Sequence, residues 1–567
     1  MSEFLLELLS EEIPARMQAA AARDLQRMAA EALRAEGLTA SEVRAFAGPR
    51  RLTLVVEGLP VHQADRTEER KGPRASAPVQ AVEGFLRSTG LARDELEDRD
   101  GVLFAVISRP GRATPDILAA IVEGIVRKFP WPKSMTSGDG SLRWVRPLRR
   151  ILALFDGEVV PVEIDGMAAG DFTEGHRSMG PAGPVRVRDF ADYAAQLEAR
   201  FVVLSADERR RRIVEGARAV CAAAGLHWQE DLGLLEEVGG MVEWPVAILG
   251  DMDPAFLSLP AEVVRTTMRV HQRYFAVRKS ADGALAPHFV CIANIEAADG
   301  GRLIGAGNAR VLSARLSDAQ FFWDEDRKVA LADRLPRLAG VTFHARLGTV
   351  AQRVARLETA ARLIAPHVGA DPGVAARAAG LAKADLASGL VGEFPELQGV
   401  MGGYYARHEG LSAEIADAIA QQYRPQGPSD LIPVGAVATA VALADKLEAL
   451  VAFFSIGQAP TGSRDPFALR RAALGVVRIA LEGRQRLPLG ALVEALETAF
   501  GWKAPGLLDF FADRLKGLLR DKGERHDLVD AVFALGDDDL VRIVARIEAL
   551  AAFLATDDGA NLLAGHR

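Results

Sequence analysis

Residues 259–280 read LPAEVVRTTMRVHQRYFAVRKS, residues 287–296 read PHFVCIANIE, and residues 307–328 read GNARVLSARLSDAQFFWDEDRK. In the first segment Val263, Val264, Met268 and Val270 supply an apolar stripe, while Arg265, Arg269 and Arg273 recur four apart. That spacing predicts three guanidinium groups on one helical face, followed by a break into a short strand. Tyr274 and Phe275 come next, so aromatic rings stand beside a basic ridge. Such a ridge suits a polyanionic backbone, for which arginine is well shaped. It is equally the pattern of a solvated helix face above core aromatics. In the last segment Leu312, Leu316, Ala319 and Trp323 keep helical spacing, Val311 and Phe322 flank them, and Arg310 and Arg315 fall elsewhere. This predicts a core helix bridging two halves of the chain, closed by Asp324, Glu325 and Asp326.

A chain of 567 residues is too long for one core, since single cores stop growing near about 250–300 residues. Three or more domains are expected. Composition is that of a globular protein, 49% hydrophobic and 25% charged, without low-complexity tracts. No apolar run of about 18 residues offers a membrane span. The opening MSEFLLELLSEE carries acids within its apolar stretch and lacks a basic leader, unlike a signal peptide. Cys221 and Cys291 are the two cysteines, which excludes a disulfide framework and fits a cytoplasmic location. With a net charge of −8, any nucleic-acid contact must use local basic patches on an acidic body.

Up to about residue 326 the texture is mixed α and β. Strand patterns occur in FLLEL, RRLTLVVEGL, VLFAVIS, RILALFDGEVVPVEI and VEWPVAILG, the last a buried strand with Pro245 at its edge. Helix is expected from Ala15 to Glu36, opened by Pro14 and stopped by Gly37. GHRSMGP reads as a turn, and Arg209–Arg212 wrap around a solvated helix. From about 327, alanine-rich helices take over, with VGEFPELQGVMGGYYARHEG as a glycine-rich connection between them. The resulting fold class is multidomain α+β.

Several chemistries lack their residues. No CxxC, HExxH, GxxxxGK[ST], complete GxGxxG or GxSxG is present. No catalytic constellation is assigned on this chain, and the ten histidines are scattered. A second basic cluster, Arg464, Arg470 and Arg471, lies in SRDPFALRRAA, where Pro466 suits a first helical turn and Asp465 or Ser463 its cap. These arginines either touch RNA or pair with local acids inside an apolar helix.

LLELLSEEIPARM, WPKSM with RWVRPLR, EGHRSMGP, VEWPVAILG, VRTTMRVHQRYFAV, GNARVLSARLSDAQFFWDED, VGEFPELQGVMGGYYA and TGSRDPFALRRAALGVVRI resemble, in order and over nearly the whole chain, the β subunit of bacterial glycyl-tRNA synthetase. The resemblance implies a ligase of α2β2 composition. The α subunit would make glycyl-adenylate with ATP and Mg2+, and this chain would hold tRNA(Gly) without a cofactor of its own. It implies a mixed N-terminal domain at 1–165, a B3/B4-like domain at 166–326, an HD-like helical domain at 327–490 and part of a helical anticodon-binding domain at 491–567, inside which the chain is expected to stop. Arg265, Arg269, Arg273, Tyr274, Arg470 and Arg471 are the expected tRNA-binding residues. HD enzymes hold metal with a His, a His-Asp pair and a later Asp. Here His344 and Asp445 match the first and last, while Lys383 and Asp385 in LAKADL stand for the middle pair. A lysine in that shell implies a metal-free scaffold. Two other readings stay open: an HD-type phosphohydrolase and a stand-alone RNA-binding protein.

Overall fold

The computed structural model describes residues 2–561 except 139, 463, 522, 524, 525, 534 and 560, with the backbone alone for 66–68, 107–109, 526 and 533. The chain forms two compact units, residues 1–254 with 268–312, and residues 255–267 with 313–567. Sheets concentrate in the first and helices in the second, as the change of texture near 327 predicts.

The first unit is built on a five-stranded antiparallel sheet ordered Glu158–Val159, Leu148–Phe155, Ser2–Ser10, Arg51–Leu59, Glu42–Ala47. The first strand made is therefore central. Side chains alternate across a strand, and both faces of this one are covered. Phe4, Leu6 and Leu8 join a core with the helices Ala15–Ala35 and Thr114–Arg127, while Leu5 packs with Val55, Leu152, Tyr193 and Leu197. That second cluster runs past residue 165 without interruption. Helix Ala15–Ala35 starts after Pro14 and ends before Gly37, whose φ of +71° allows the reversal.

Burial on both faces forces Glu7, at 0% exposure, to find partners inside. Its carboxylate accepts from Arg51 at 3.0 Å, Thr173 Oγ1 at 2.7 Å and Tyr193 Oη at 2.5 Å. Arg51 donates in turn to Glu243 at 3.0 Å. Burial, and next the Glu7 charge, push the Tyr193 phenol well above its ordinary range.

A second antiparallel sheet is ordered His227–Trp228, Phe275–Arg278, Leu285–Ala293, Val246–Asp251. Its edge strand follows Pro245, where the missing N–H costs no ladder bond. That strand is half-buried rather than fully buried. The helix Ala206–Ala223 packs beside it, and here the arginine run divides. Arg210, Arg211 and Arg212 meet carboxylates, as on a solvated face. Arg209 instead is 1% exposed and donates to the carbonyls of Ala47, Val203, Leu204 and Gly239 at 2.8–2.9 Å.

The helix Arg302–Asp326 buries the predicted stripe of Leu312, Leu316, Ala319 and Trp323, and the division between the units falls within it. Its last residue departs from a solvated acid run. Asp326, 6% exposed, accepts from the amides of Gly389 and Leu390 and from Tyr405 Oη, each at 2.9 Å, and pairs with Arg334 at 3.2 Å.

In the second unit the glycine-rich stretch is not a loose connection. It forms short helices at Gly389–Glu393 and Val400–His408 joined by a 3₁₀ turn at Pro395–Leu397. Gly402 and Gly403 are needed for close packing, since a Cβ there would stand 2.7 Å from Ile419 and 2.6 Å from Ala420. Among the described residues no helix is long and apolar enough to cross a membrane.

Candidate functional site

The second unit holds a cavity of about 300 Å³ lined by residues from several of its segments, among them Phe343, Arg353, Gln398, Tyr423, Asp445, Lys446, Phe453, Phe467 and Arg471. Two helices set its floor. Val350–Ile364 begins at a capping box in which Thr349 accepts from the Gln352 amide at 3.3 Å and the Gln352 side chain accepts from the Thr349 amide at 2.8 Å. It presents Arg353 and Arg356. Ala436–Ser455 is buried along most of its length and presents Asp445, Lys446 and Glu448. Arg353 bridges Asp445 at 3.0 Å and Glu448 at 2.8 Å, and Arg356 reaches Glu448 at 2.8 Å.

Lys383, 1% exposed, places its ammonium 2.7 Å from Asp445 and 3.9 Å from the centre of the Tyr423 ring. Burial pushes this lysine down to about 8 against the attraction of Asp445. Burial alone would raise the Asp445 carboxyl, but Lys383 and Arg353 outweigh it and hold that group at about 2. Burial likewise brings Lys446 down to about 8. Its Nζ donates to the carbonyls of Tyr423 at 3.2 Å and Arg424 at 2.7 Å.

Asp385 turns away from this set. Its Oδ2 accepts from the amides of Gly399 at 2.5 Å and Gly402 at 3.1 Å, while Oδ1 is buried without a partner. Burial raises it to about 6 despite those two amides. His344 lies edge-on to Phe453 and Phe467, with ring centres 5.5 Å apart in each case, and its Nδ1 accepts from the Arg346 amide at 3.2 Å. The four positions matched to an HD ligand set thus do not converge as one. Among the described residues no group of three or more His, Cys, Asp or Glu side chains is arranged to hold a metal ion. The donor set present, an ammonium and a guanidinium against a single carboxylate, does not fit a divalent cation.

Arg470 and Arg471 open the helix Leu469–Glu482. Asp465 caps that helix, its two oxygens accepting from the amides of Leu469 at 2.8 Å and Arg470 at 2.9 Å. Pro466 lies in the turn before the helix rather than in its first turn, because Ala468 adopts φ +54° and delays the start. The alternative cap, Ser463, lies outside the described residues. The two arginines differ. Arg470 donates to the Gly462 carbonyl. Arg471 is exposed at the cavity wall, and the described residues give its guanidinium no partner.

The run from Arg265 to Arg273 is not a single helical face. An α-helix covers Ala261–Thr266, a π-helical turn covers Thr267–Gln272, and Arg273 lies past both at φ +61°. Hydrogen bonds from i to i+5 widen the turn, so a spacing of four loses its register. Thr267 contributes by bonding its hydroxyl back to the Val263 carbonyl at 2.8 Å. Each arginine also has an acid: Arg265 with Glu262 at 3.7 Å, Arg269 with Asp231 and Arg273 with Glu237, both at 2.6 Å. Tyr274 is 7% exposed and stacks on Phe289 at 4.6 Å, so its ring is core, as is that of Phe275. The predicted strand follows at Phe275–Arg278. Sequence reasoning missed Arg353, Glu448 and Tyr423; Arg353 and Glu448 lie on ordinary amphipathic patterns whose partners are 92 or more positions away.

The family profile described as Glycyl-tRNA synthetase beta subunit matches residues 4–534. The chain is 66% identical over 570 residues to a protein of Phenylobacterium zucineum named glycine–tRNA ligase beta subunit, covering all of this chain and 84% of that protein. Proteins of the same name from Rhodospirillum centenum and Cereibacter sphaeroides are 51% and 52% identical over 605 and 589 residues, again covering all of this chain and 84% of their own length.

Proposed function

Because this chain belongs to the glycyl-tRNA synthetase beta subunit family, we propose that it binds tRNA(Gly) and positions it for glycylation at the active site of a separate α subunit. The chain is a ligase component with a role in glycyl-tRNA synthesis. The observation that carries the finer reading is the match along 4–534, which spans both units. In this reading the assembly is α2β2 and cytoplasmic, and ATP and Mg2+ act at the α subunit. This chain contributes orientation: holding the acceptor end near a reactive group converts an encounter into an intramolecular step.

The domain scheme of 1–165, 166–326, 327–490 and 491–567 belongs to the same proposal. The HD-like region serves in it as a metal-free scaffold, supported by the Lys383 ammonium on Asp445 at 2.7 Å. Metal-dependent phosphodiester hydrolysis that disappears in Asp445→Ala would favour the phosphohydrolase reading instead. Of the six residues proposed for tRNA contact, Arg471 has the most suitable setting, exposed and without a partner among the described residues. Arg265, Arg269 and Arg273 are half-exposed beside their acids, Arg470 orders the turn next to Arg471, and Tyr274 supports the segment from the core.

The test is glycylation of tRNA(Gly) by the α subunit alone and with this chain added. A large gain on addition is expected. Formation of a complex without gain would remove the positioning role, and tRNA binding without either would favour a stand-alone RNA-binding protein.

A further inference from the structure

Four segments far apart in sequence close a second cavity, of about 640 Å³, within the first unit. Glu11 comes from the end of the first strand, Arg50 from the turn before the second long strand, Arg149 and Arg150 from the start of Leu148–Phe155, and the loop 174–177 brings Glu174, His176 and Arg177. The lining thus sets four guanidinium groups against two carboxylates. Glu11 is shared between Arg177 at 2.6 Å and Arg149 at 3.5 Å, and Glu174 between Arg150 at 3.1 Å and Arg50 at 3.6 Å. Two further acids border the cleft. Glu12 meets Arg177 at 3.2 Å, and Glu243 lies 3.8 Å from Arg50 but is held more closely by Arg51.

Hydrogen-bond donors are left over. Among the described residues, the Nε atoms of Arg50 and Arg150 and the Nε2 of His176 are buried without a partner. Arg50 is 8% and His176 7% exposed, so these are built positions rather than surface chains. The His176 Nδ1 accepts from the Ser178 amide at 3.2 Å, which puts the proton of the neutral ring on Nε2 and makes it another donor. Arg149 and Arg177 stand at the mouth with side-chain exposures of 63% and 53%. The opposite wall is Pro181, Ala182 and Gly183, small residues held in place by Arg200, which donates to the carbonyls of Pro181 at 3.0 Å and Gly183 at 3.4 Å.

We propose that this arginine-lined cleft is a phosphate-binding site that takes the backbone of the RNA substrate. Paired guanidinium forks with spare N–H groups match phosphate oxygens. Among the described residues no Phe, Tyr or Trp lines the cleft, so none of them would stack on a base, and recognition is of backbone rather than of a free nucleotide. Glu11 and Glu174 hold the forks in orientation until phosphate oxygens share them. This assignment rests on the reading that the chain binds tRNA.

The test uses the complex of this chain with its α subunit and the variants Arg149→Gln, Arg177→Gln and their double. Both side chains are more than half exposed, so folding is retained, which circular dichroism checks. Binding of tRNA(Gly) is measured across a salt series. The double variant is expected to bind about tenfold more weakly at low salt, with a log–log salt slope shallower by about 1.5, as two lost phosphate contacts require. The KM for tRNA should rise more than kcat falls. An unchanged slope beside a salt-dependent wild type overturns the cleft assignment alone, whereas no RNA binding by the wild-type complex overturns the functional reading with it. Loss of subunit association at unchanged slope would mark a docking site for an acidic protein segment. Loss only of inhibition by inorganic pyrophosphate would mark a site for the free ion. Either result also overturns the proposal.

Discussion

The Lys383 ammonium lies 2.7 Å from a carboxylate oxygen of Asp445, with Arg353 on the same oxygen at 3.0 Å. A side-chain cation therefore occupies the acid that the HD-like reading assigns to metal. Removing one partner of a buried pair leaves the other charge stranded, at a cost of about 3–5 kcal/mol. Asp445→Asn, which strands the Lys383 ammonium, should destabilise the chain by that order, and Lys383→Met by less, because Arg353 still neutralises Asp445. The double variant should lose clearly less than the sum of the singles. Urea denaturation of the four proteins measures this, and additive losses would dissolve the pair.

Asp385 gives the second unit a pH dependence of known sign. Its folded-state carboxyl is raised by burial to about 6 from 3.8. The folded state therefore holds the proton more tightly than the unfolded state, so this group's contribution falls as pH rises from about 4 to 6 and stays low above that. The loss is at most about 3 kcal/mol by linkage. Asp385→Asn should flatten this part of the stability–pH curve relative to wild type, as denaturant midpoints at pH 4 and pH 7 would reveal. A difference that does not change between those pH values would remove the effect.

Adjacent Arg470 and Arg471 should separate in their effects. Arg471→Ala removes a guanidinium without a partner among the described residues, so stability should change by no more than about 0.5 kcal/mol. Its tRNA binding should weaken, with a salt slope shallower by about 0.8. Arg470→Ala, which frees the Gly462 carbonyl, should act more on stability, by about 1 kcal/mol. Filter binding and thermal melts on the same preparations distinguish the two, and interchangeable behaviour would refute the distinction.

Arg265, Arg269 and Arg273 changed together to Ala should lower tRNA affinity and its salt slope. Their exposed acid pairs contribute only about 0–1 kcal/mol each to folding. A lowered melting temperature with an unaltered slope would assign all three to structure.

Asp326 gathers two amides, a tyrosine hydroxyl and the Arg334 guanidinium in a buried position. Asp326→Ala should cost about 3–5 kcal/mol, making it more damaging than Glu325→Ala one residue earlier, where the side chain is exposed and pairs with the exposed Lys328. Equal losses in the two variants would contradict this account.

The contrast between Glu325 and Asp326 shows what was legible in the sequence. Periodicity located the helix Arg302–Asp326 and its stripe, because apolar spacing is a local property. It could not separate one acid from the next, since the partners of Asp326 lie 8 to 79 positions away. The arginine series failed for a related reason: four-residue spacing assumes α geometry, and Thr267–Gln272 is π-helical. Lys383 was legible as a misfit among metal ligands, whereas its neutralising role needed Asp445 brought from 62 positions away. Glycines at 402 and 403 read as part of a connection between helices, yet they permit close helix packing, a demand set by tertiary contacts.

Glu7 sits in the first strand and Glu243 some 236 positions later, and Arg51 bridges both at 3.0 Å. The strand that completes the sheet beside Glu7, Leu148–Phe155, also follows it at long range. During synthesis, therefore, the first strand leaves the ribosome well before the partners that satisfy it. At about 5–20 residues per second it waits roughly 10–50 s for Glu243 to be made. Until Leu148–Phe155 is made, the apolar strand also keeps an unpaired edge exposed to nascent-chain chaperones, so the order of translation itself becomes a hazard that this topology must survive.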